Sequence, residues 1–196
     1  MNRRLTEIAL ASKSPRRKQL LEALGLRVTV IGSSFEEPPY RPADGDPRAY
    51  VEAAALGKAA AAHNHGPPLL IAADTIVVID RAVLGKPRDP DEAAAMLRKL
   101  GGREHIVHTG FTVADRARSG MESGVESARV TFGPLDDDLI SGYVESGEPL
   151  DKAGAYGIQG LGSLLVASIV GDFYSVMGLP IARIGQSLAR LGYRLF

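Results

Sequence analysis

Short apolar runs alternate along this chain with segments in which apolar residues recur every three or four positions. Ile8-Ala9-Leu10-Ala11 reads as a short buried strand and Val28 to Ile31 as a β-branched one. Between them Ser14 is placed as an N-cap and Pro15 as the first helical residue, with Gln19, Leu20, Leu21 and Leu24 at helical spacing. A polar, proline-rich loop spans Glu36 to Asp46. A helix then starts at Asp46-Pro47 and runs through alanines to about His63, closed by Gly66-Pro67-Pro68. Leu69 to Ala73 and Thr75 to Ile79 flank Asp74, and Asp80-Arg81 predicts a hairpin turn before Val83-Leu84.

Asp89-Pro90-Asp91-Glu92 is a helix start with Asp89 as N-cap and Glu92 placed for a capping box; Gly101-Gly102 ends that helix. Ile106 to Ala114 and Glu126 to Phe132 read as a strand pair joined by a loop rich in Arg, Ser and Gly. Asp136-Asp137-Asp138 most simply serves a helix N-terminus rather than a metal. Leu164 to Val170 reads as another buried strand. Ile181, Ile184, Leu188 and Leu191 form one stripe of a closing helix that begins at Pro180 and stops at Gly192. Alternating strands and helices with hairpin signals define an α/β class with a mixed sheet.

The chain's 196 residues suffice for one substantial core, so a single domain over 1–196, in one body or two joined lobes, is expected. The 23 Lys plus Arg balance 23 Asp plus Glu, leaving no bulk basic field for nucleic acid. The absence of cysteine excludes disulfides, thiolate metal sites and cysteine nucleophiles, and fits a cytoplasmic location. Met1-Asn2-Arg3-Arg4 carries a basic start, but Thr6 and Glu7 interrupt the apolar run after it, so no targeting segment is expected. No run approaches the roughly 20 apolar residues that span a bilayer.

Candidate chemistry is concentrated in a few places. Ser12-Lys13-Ser14-Pro15-Arg16-Arg17 puts two hydroxyls and two guanidinium groups at a helix N-terminus, where free N–H groups attract anions. Cations there oppose the helix dipole, so the two arginines ask for an anion. Asp74 interrupts a long apolar run, and a desolvated carboxylate needs a cation, hydrogen bonds or a proton. Lys58 follows Val51 by seven residues and Ala54 by four, which places it on their inward helix face. Lys86 follows the hairpin strand. The segment from Asp151 to Gly162 carries glycines that permit close backbone approach, with Tyr156, Ile158 and Leu161 suggesting packing. It is neither a dinucleotide fingerprint nor a phosphate loop. His105, His108, His63 and His65 lack metal-ligand spacing.

Taken together, Leu10-Ala11-Ser12-Lys13-Ser14-Pro15-Arg16-Arg17, Phe35-Glu36-Glu37, Lys58-Ala59, Ala73-Asp74-Thr75, Leu84-Gly85-Lys86-Pro87, Lys152 through Gly160 and Gly178-Leu179-Pro180 resemble the Maf family of nucleoside triphosphate pyrophosphatases over nearly the whole chain. Ser-Pro-Arg-Arg with Tyr-Gly-Ile-Gln-Gly is similar to the branch acting on dTTP and UTP. One departure, Ala54-Ala55-Leu56-Gly57 ahead of Lys58, leaves the helix register there open. The resemblance implies two lobes around an elongated mixed β-sheet with a nucleotide cleft. It also implies cleavage of the α–β phosphoanhydride of a nucleoside triphosphate with a divalent cation, Mg2+ or alternatively Mn2+ or Co2+. A homodimer is compatible with it, and neither membrane nor stable nucleic-acid binding is expected.

By the same resemblance Asp74 matches the carboxylate that takes a proton from water. Ser12, Arg16, Arg17, Glu37, Lys58, Lys86 and Gln159 match other site groups, with Arg16, Thr75 and Gln159 tied to substrate choice. Ser14 joins the substrate-binding turn. Asp74 and Glu37 are the metal candidates, and the division of base and ligand tasks between them stays open. Two other readings compete. Asp74 as a phosphoryl-accepting nucleophile lacks a second aspartate two residues on, where Ile76 stands. A nucleic-acid-binding or division-regulating protein would use Arg16-Arg17-Lys18 against phosphates, which neutral net charge disfavours.

Overall fold

The computed structural model describes residues 3–41 and 45–196. Residues 42–44 of the expected proline-rich loop and residues 1–2 of the basic start lie outside the described residues. The chain divides into two compact units, one of Met1–Asp74, Thr109–Glu126 and Gly178–Phe196, the other of Thr75–His108 and Ser127–Met177.

In the first unit, β1 (Arg3–Arg4) pairs parallel with β9 (Tyr193–Arg194). Strand β2 (Glu7–Leu10) has parallel neighbours on both sides, β3 (Arg27–Val30) and β4 (Leu69–Ile79). A strand covered on both faces is apolar at successive positions, and Ile8, Ala9 and Leu10 are fully buried. Parallel pairing requires crossovers, supplied by α1 (Pro15–Ala23) and α2 (Pro47–Ala60). Both begin as the sequence predicts: Ser14 Oγ accepts from the Arg17 N–H, Asp46 Oδ1 from the Arg48 N–H, and proline is the first helical residue of each.

Small residues bring α2 close to the sheet. Ala9, Ala11, Ile31, Ala59, Leu70 and Ala72 form one buried cluster, and Val51, Ala54 and Ala55 are buried on the same helix. The approach is closest at Gly110, where a Cβ would lie 2.2 Å from the Val51 carbonyl oxygen. Only glycine fits there. The closing helix α6 (Ile181–Arg190) buries Ile184 and Leu188, and Gly192 follows it at φ +83°.

In the second unit, the end of β4 turns into β5 (Ala82–Leu84) through Asp80 and Arg81, both at positive φ (51° and 63°), the two-residue turn that suits antiparallel strands. Helix α3 (Pro90–Leu100) buries Ala93, Leu97 and Leu100 and packs against α4 (Asp137–Glu145), with Arg98 Nε donating to Asp137 Oδ1 at 2.9 Å. Asp136 caps α4 by accepting from the Leu139 N–H at 2.8 Å, the helix-start role expected of that acidic run. The short α5 (Phe173–Val176) is capped by Asp172. Strands β6 (Glu104–Asp115) and β7 (Gly120–Phe132) run through both units, and β8 (Val166–Val170) pairs antiparallel with β7. The described residues form a mixed sheet in the order β3-β2-β4-β6-β7-β8, with β5 on β4.

Four local expectations are corrected. The apolar runs flanking Asp74 are one strand of 11 residues, because Asp74 keeps the extended backbone and finds partners. The loop expected before Glu126 is largely strand, since Gly120 to Val125 pairs without an apolar alternation that would announce it. Strand β8 is not buried: it ends the strand order, Val170 is exposed, and Leu164 falls in a 3-10 turn before it. The Glu92 carboxylate accepts from the Arg88 N–H at 2.7 Å rather than from the N-cap's own, so the capping box closes one residue early. Among the described residues no helix is long and apolar enough to cross a membrane.

Candidate active site

The first unit gathers Asp74, Lys58 and Glu37. Asp74 sits inside β4 and is 7% exposed. Lys58 projects from α2 on the face of Val51 and Ala54, which settles the register that its preceding residues left open. Its ammonium donates to Asp74 Oδ1 and, at 2.7 Å, to Glu37 Oε2.

Glu37 reaches the lysine because the segment before it is stitched to the end of α2. Ser33 Oγ donates to the Lys58 carbonyl at 3.0 Å and accepts from the Phe35 N–H at 3.2 Å, and the Ser34 N–H bonds the Ala61 carbonyl at 3.1 Å. The Phe35 ring lies where a Cβ of Gly57 would be, 2.2 Å from its Cε2. Gly57 is therefore a seat for that ring, which explains glycine in the middle of a helix.

The electrostatics follow from burial and neighbours. Desolvation raises the Asp74 pKa and the Glu37 charge adds to it, with Lys58 and Arg17 opposing. For Glu37, burial also pushes upward, but hydrogen bonds and charge from Lys58, a hydrogen bond from Tyr50 and the neighbouring Asp74 carboxyl prevail, and its pKa is lowered. Asp74 is thus the carboxyl of the pair that holds a proton more readily. Its Oδ2 is buried and accepts no hydrogen bond from any described donor.

The helix-start turn is tied to the same place. Arg17 Nη1 donates to Ser12 Oγ at 3.0 Å and to the Ala73 carbonyl at 2.8 Å, and its Nε donates to the Gly178 carbonyl at 2.7 Å. Ser12 Oγ also accepts from the Ser14 N–H at 3.2 Å. Burial lowers the Arg17 pKa while Asp74 and Glu37 raise it. Two anions therefore offset the unfavourable placement of this cation at a helix N-terminus. Arg16 shares the turn and is partly exposed.

The second unit carries the remaining predicted residues. Thr75 follows Asp74 in β4 and points to the other face of the sheet. Lys86 and Gln159 are exposed. Their loops are joined by the Gly154 N–H, which donates to the Gly85 carbonyl at 2.9 Å. Tyr156 and Ile158 are buried as packing residues, whereas Leu161 is 51% exposed, against expectation. His105 and His108 are used internally: His105 Nε2 lies 2.7 Å from Tyr156 Oη, and His108 Nδ1 lies 2.8 Å from Ser127 Oγ. Burial lowers the His105 pKa to about 4, so it is neutral at physiological pH.

Sequence reasoning missed Tyr50, Tyr143 and Glu148. Tyr50 Oη lies 3.1 Å from Glu37 Oε1. Tyr143 and Glu148 hold the glycine-rich segment through side-chain bonds to its backbone. Their residue types were visible, but no local spacing ties them to partners 13 or 14 positions away.

A mixed α/β fold that holds a half-buried lysine between two carboxylates, beside a braced serine–arginine helix start, defines the class of this protein. The family model described as Maf-like protein matches residues 7–191, and the chain belongs to the Maf family. It is 49% identical over 191 residues to a dTTP/UTP pyrophosphatase of Moorella thermoacetica, covering 96% of both chains. It is 46% identical over 189 residues to one of Thermus thermophilus (95% of this chain, 96% of the relative). With one of Methanosarcina mazei it shares 44% over 194 residues, 98% of both.

Proposed function

We propose that this chain hydrolyses pyrimidine nucleoside triphosphates, dTTP, UTP and modified pyrimidine nucleotides among them, to the monophosphate and diphosphate, a housekeeping role in the nucleotide pool. The observation that carries this reading is the Lys58 ammonium held between Asp74 and Glu37. It accords with relatives named dTTP/UTP pyrophosphatase.

A water oxygen attacks the α-phosphorus, the bond from that phosphorus to the α–β bridging oxygen breaks, and pyrophosphate leaves with the electron pair. Asp74 takes the water's proton at Oδ2, the oxygen that Lys58 does not occupy. Burial raises the affinity of this carboxylate for a proton, which makes it a better base. A triphosphate carries about four negative charges, so cations must offset charge on the attacked and leaving groups; Lys58, Lys86 and Arg16 supply them. Arg17 braces Ser12 and the Ala73 carbonyl next to the base, and Ser12 and Ser14 shape the turn that receives phosphate.

A divalent cation fits these residues. The Glu37 carboxylate and the neighbouring Asp74 carboxylate are hard oxygen donors of the kind that would hold Mg2+, Mn2+ or Co2+, with Glu37 the ligand while Asp74 acts as the base. When bound, the cation supplies charge neutralisation and polarisation of the phosphoryl oxygens. Gln159 presents one donor and one acceptor, matching the 4-carbonyl and N3–H of uracil or thymine, a pattern cytosine reverses. Thr75 and Arg16 contribute to the same choice.

The test is a panel of nucleoside triphosphates incubated with the purified chain and Mg2+, with pyrophosphate and orthophosphate measured separately. The expected products are dTMP or UMP plus pyrophosphate. Orthophosphate with a nucleoside diphosphate would overturn the reading.

A further inference from the structure

The glycine-rich segment that carries Gln159 is held by one carboxylate. Glu148 Oε2 accepts from the Leu161 N–H at 3.1 Å, and Oε1 accepts from the Gly162 N–H at 3.1 Å and the Tyr143 hydroxyl at 2.9 Å. That hydroxyl in turn accepts from the Gly157 N–H at 3.1 Å. Backbone donors on both sides of Gln159 are therefore fixed by the Glu148–Tyr143 pair. Lys152 closes the arrangement by donating Nζ to the Glu148 carbonyl and, at 2.8 Å, to Asp151 Oδ1.

The packing is as specific as the hydrogen bonding. A Cβ at Gly162 would stand 2.2 Å from the Gly157 carbonyl oxygen and 2.6 Å from Tyr143 Oη. A Cβ at Gly160, which has φ +65°, would stand 2.8 Å from Glu148 Oε2. The carboxylate thus lies against the residue directly after Gln159, with both of its oxygens committed to holding the loop. An ionised acceptor makes each of these bonds stronger than one to a neutral oxygen.

We infer that Glu148 and Tyr143 are positioning residues for base choice: they set the backbone on which the Gln159 amide is presented and so determine discrimination between uracil and cytosine. This rests on reading Gln159 as the group that reads the base. Neither residue needs to touch the nucleotide. An amide that must distinguish two bases by donor and acceptor order works only if its own orientation is held, because a rotated amide accepts the wrong base as readily as the right one.

Glu148→Gln keeps shape but offers one acceptor oxygen and an NH2 group, which turns a donor toward a backbone donor. Tyr143→Phe removes the hydroxyl that links Glu148 to Gly157 and keeps the ring. The experiment measures kcat/KM for UTP and CTP on the intact wild-type chain and both variants, with inorganic tripolyphosphate as a competitive inhibitor and thermal unfolding as a fold check. The UTP-to-CTP ratio is expected to fall about tenfold in Glu148→Gln, the effect of one misplaced charge-assisted bond, and severalfold in Tyr143→Phe, with inhibition by tripolyphosphate unchanged. If Glu148→Gln does not fold, Tyr143→Phe carries the test. A wild-type preference for UTP that survives the substitutions in folded protein overturns this inference alone. A wild-type chain that hydrolyses UTP and CTP equally well overturns the Gln159 reading beneath it.

Discussion

The Tyr50 hydroxyl lies 3.1 Å from Glu37 Oε1, on the carboxylate oxygen opposite the one that takes the Lys58 ammonium. The same hydroxyl is 2.7 Å from the Pro38 carbonyl, so its one proton has two acceptors within reach. Tyr50 thereby orients Glu37 and helps lower its pKa. Tyr50→Phe is expected to keep the edge-on packing against Tyr40 (5.3 Å between ring centroids) and reduce stability by about 1 kcal/mol. The rate constant kcat should fall severalfold with KM for dTTP little changed. Steady-state kinetics and thermal unfolding would check both, and an unchanged kcat would remove Tyr50 from the site.

Asp74→Asn should separate stability from catalysis. The raised pKa of Asp74 means that the folded state holds its proton to higher pH than the unfolded chain, whose carboxyl titrates near 3.8. Stability is therefore lost as pH rises from about 4 through the raised folded value, and stays lower above it. Asparagine does not titrate, so its advantage in Tm over wild type should open across that window and persist at neutral pH. Hydrolysis should drop by about 10²–10⁴-fold, the typical contribution of a positioned base. A Tm gap independent of pH would contradict the assignment of burial as the main cause.

Gly57→Ala tests the seat of Phe35. The added methyl would meet the ring 2.2 Å away, so the ring must move, and Glu37 lies two residues further on. A loss of about 1–3 kcal/mol in stability, with a matching fall in kcat, is expected. Gly185→Ala in α6 is the control: its Cβ meets nothing within 4 Å, and the helix should gain about 0.5–1 kcal/mol. Denaturant unfolding of both variants checks the contrast.

Arg17→Lys should not behave as a conservative change. The guanidinium donates to Ser12, Ala73 and Gly178 from two nitrogens at fixed relative positions, a fork that an ammonium on a flexible stem does not reproduce. Each buried acceptor left unsatisfied costs about 1–3 kcal/mol. The expected outcome is a marked drop in Tm together with loss of activity, and a Tm equal to wild type would place Arg17 outside the structural frame.

Much of this architecture was legible in the sequence because its signals are local. The caps at Ser14, Asp46, Asp89 and Asp136 rest on side chains that bond N–H groups two or three residues on. Asp74 stood out by interrupting an apolar run, and Lys58 by its helical offset from Val51 and Ala54. The strand content of Gly120 to Val125 was hidden because its pairing does not depend on an apolar alternation. The exposure of β8 was hidden because its residues are apolar, while its place at the end of the strand order is a property of topology. The partners of Glu37 and of the glycine-rich segment, Tyr50, Tyr143 and Glu148, depend on contacts between distant positions that periodicity does not encode.

The two glycine contacts of α2 have a consequence for anyone redesigning the site. Gly110 leaves the room that lets α2 approach the sheet at Val51, where any larger residue would lift the helix, and the Phe35 ring against Gly57 is a second steric stop on α2. Backbone steric fit therefore indexes Lys58 to the sheet alongside its salt bridges. The ammonium can be retuned by changing the length or chemistry of that one side chain. Moving the rail that carries it would require rebuilding both stops together.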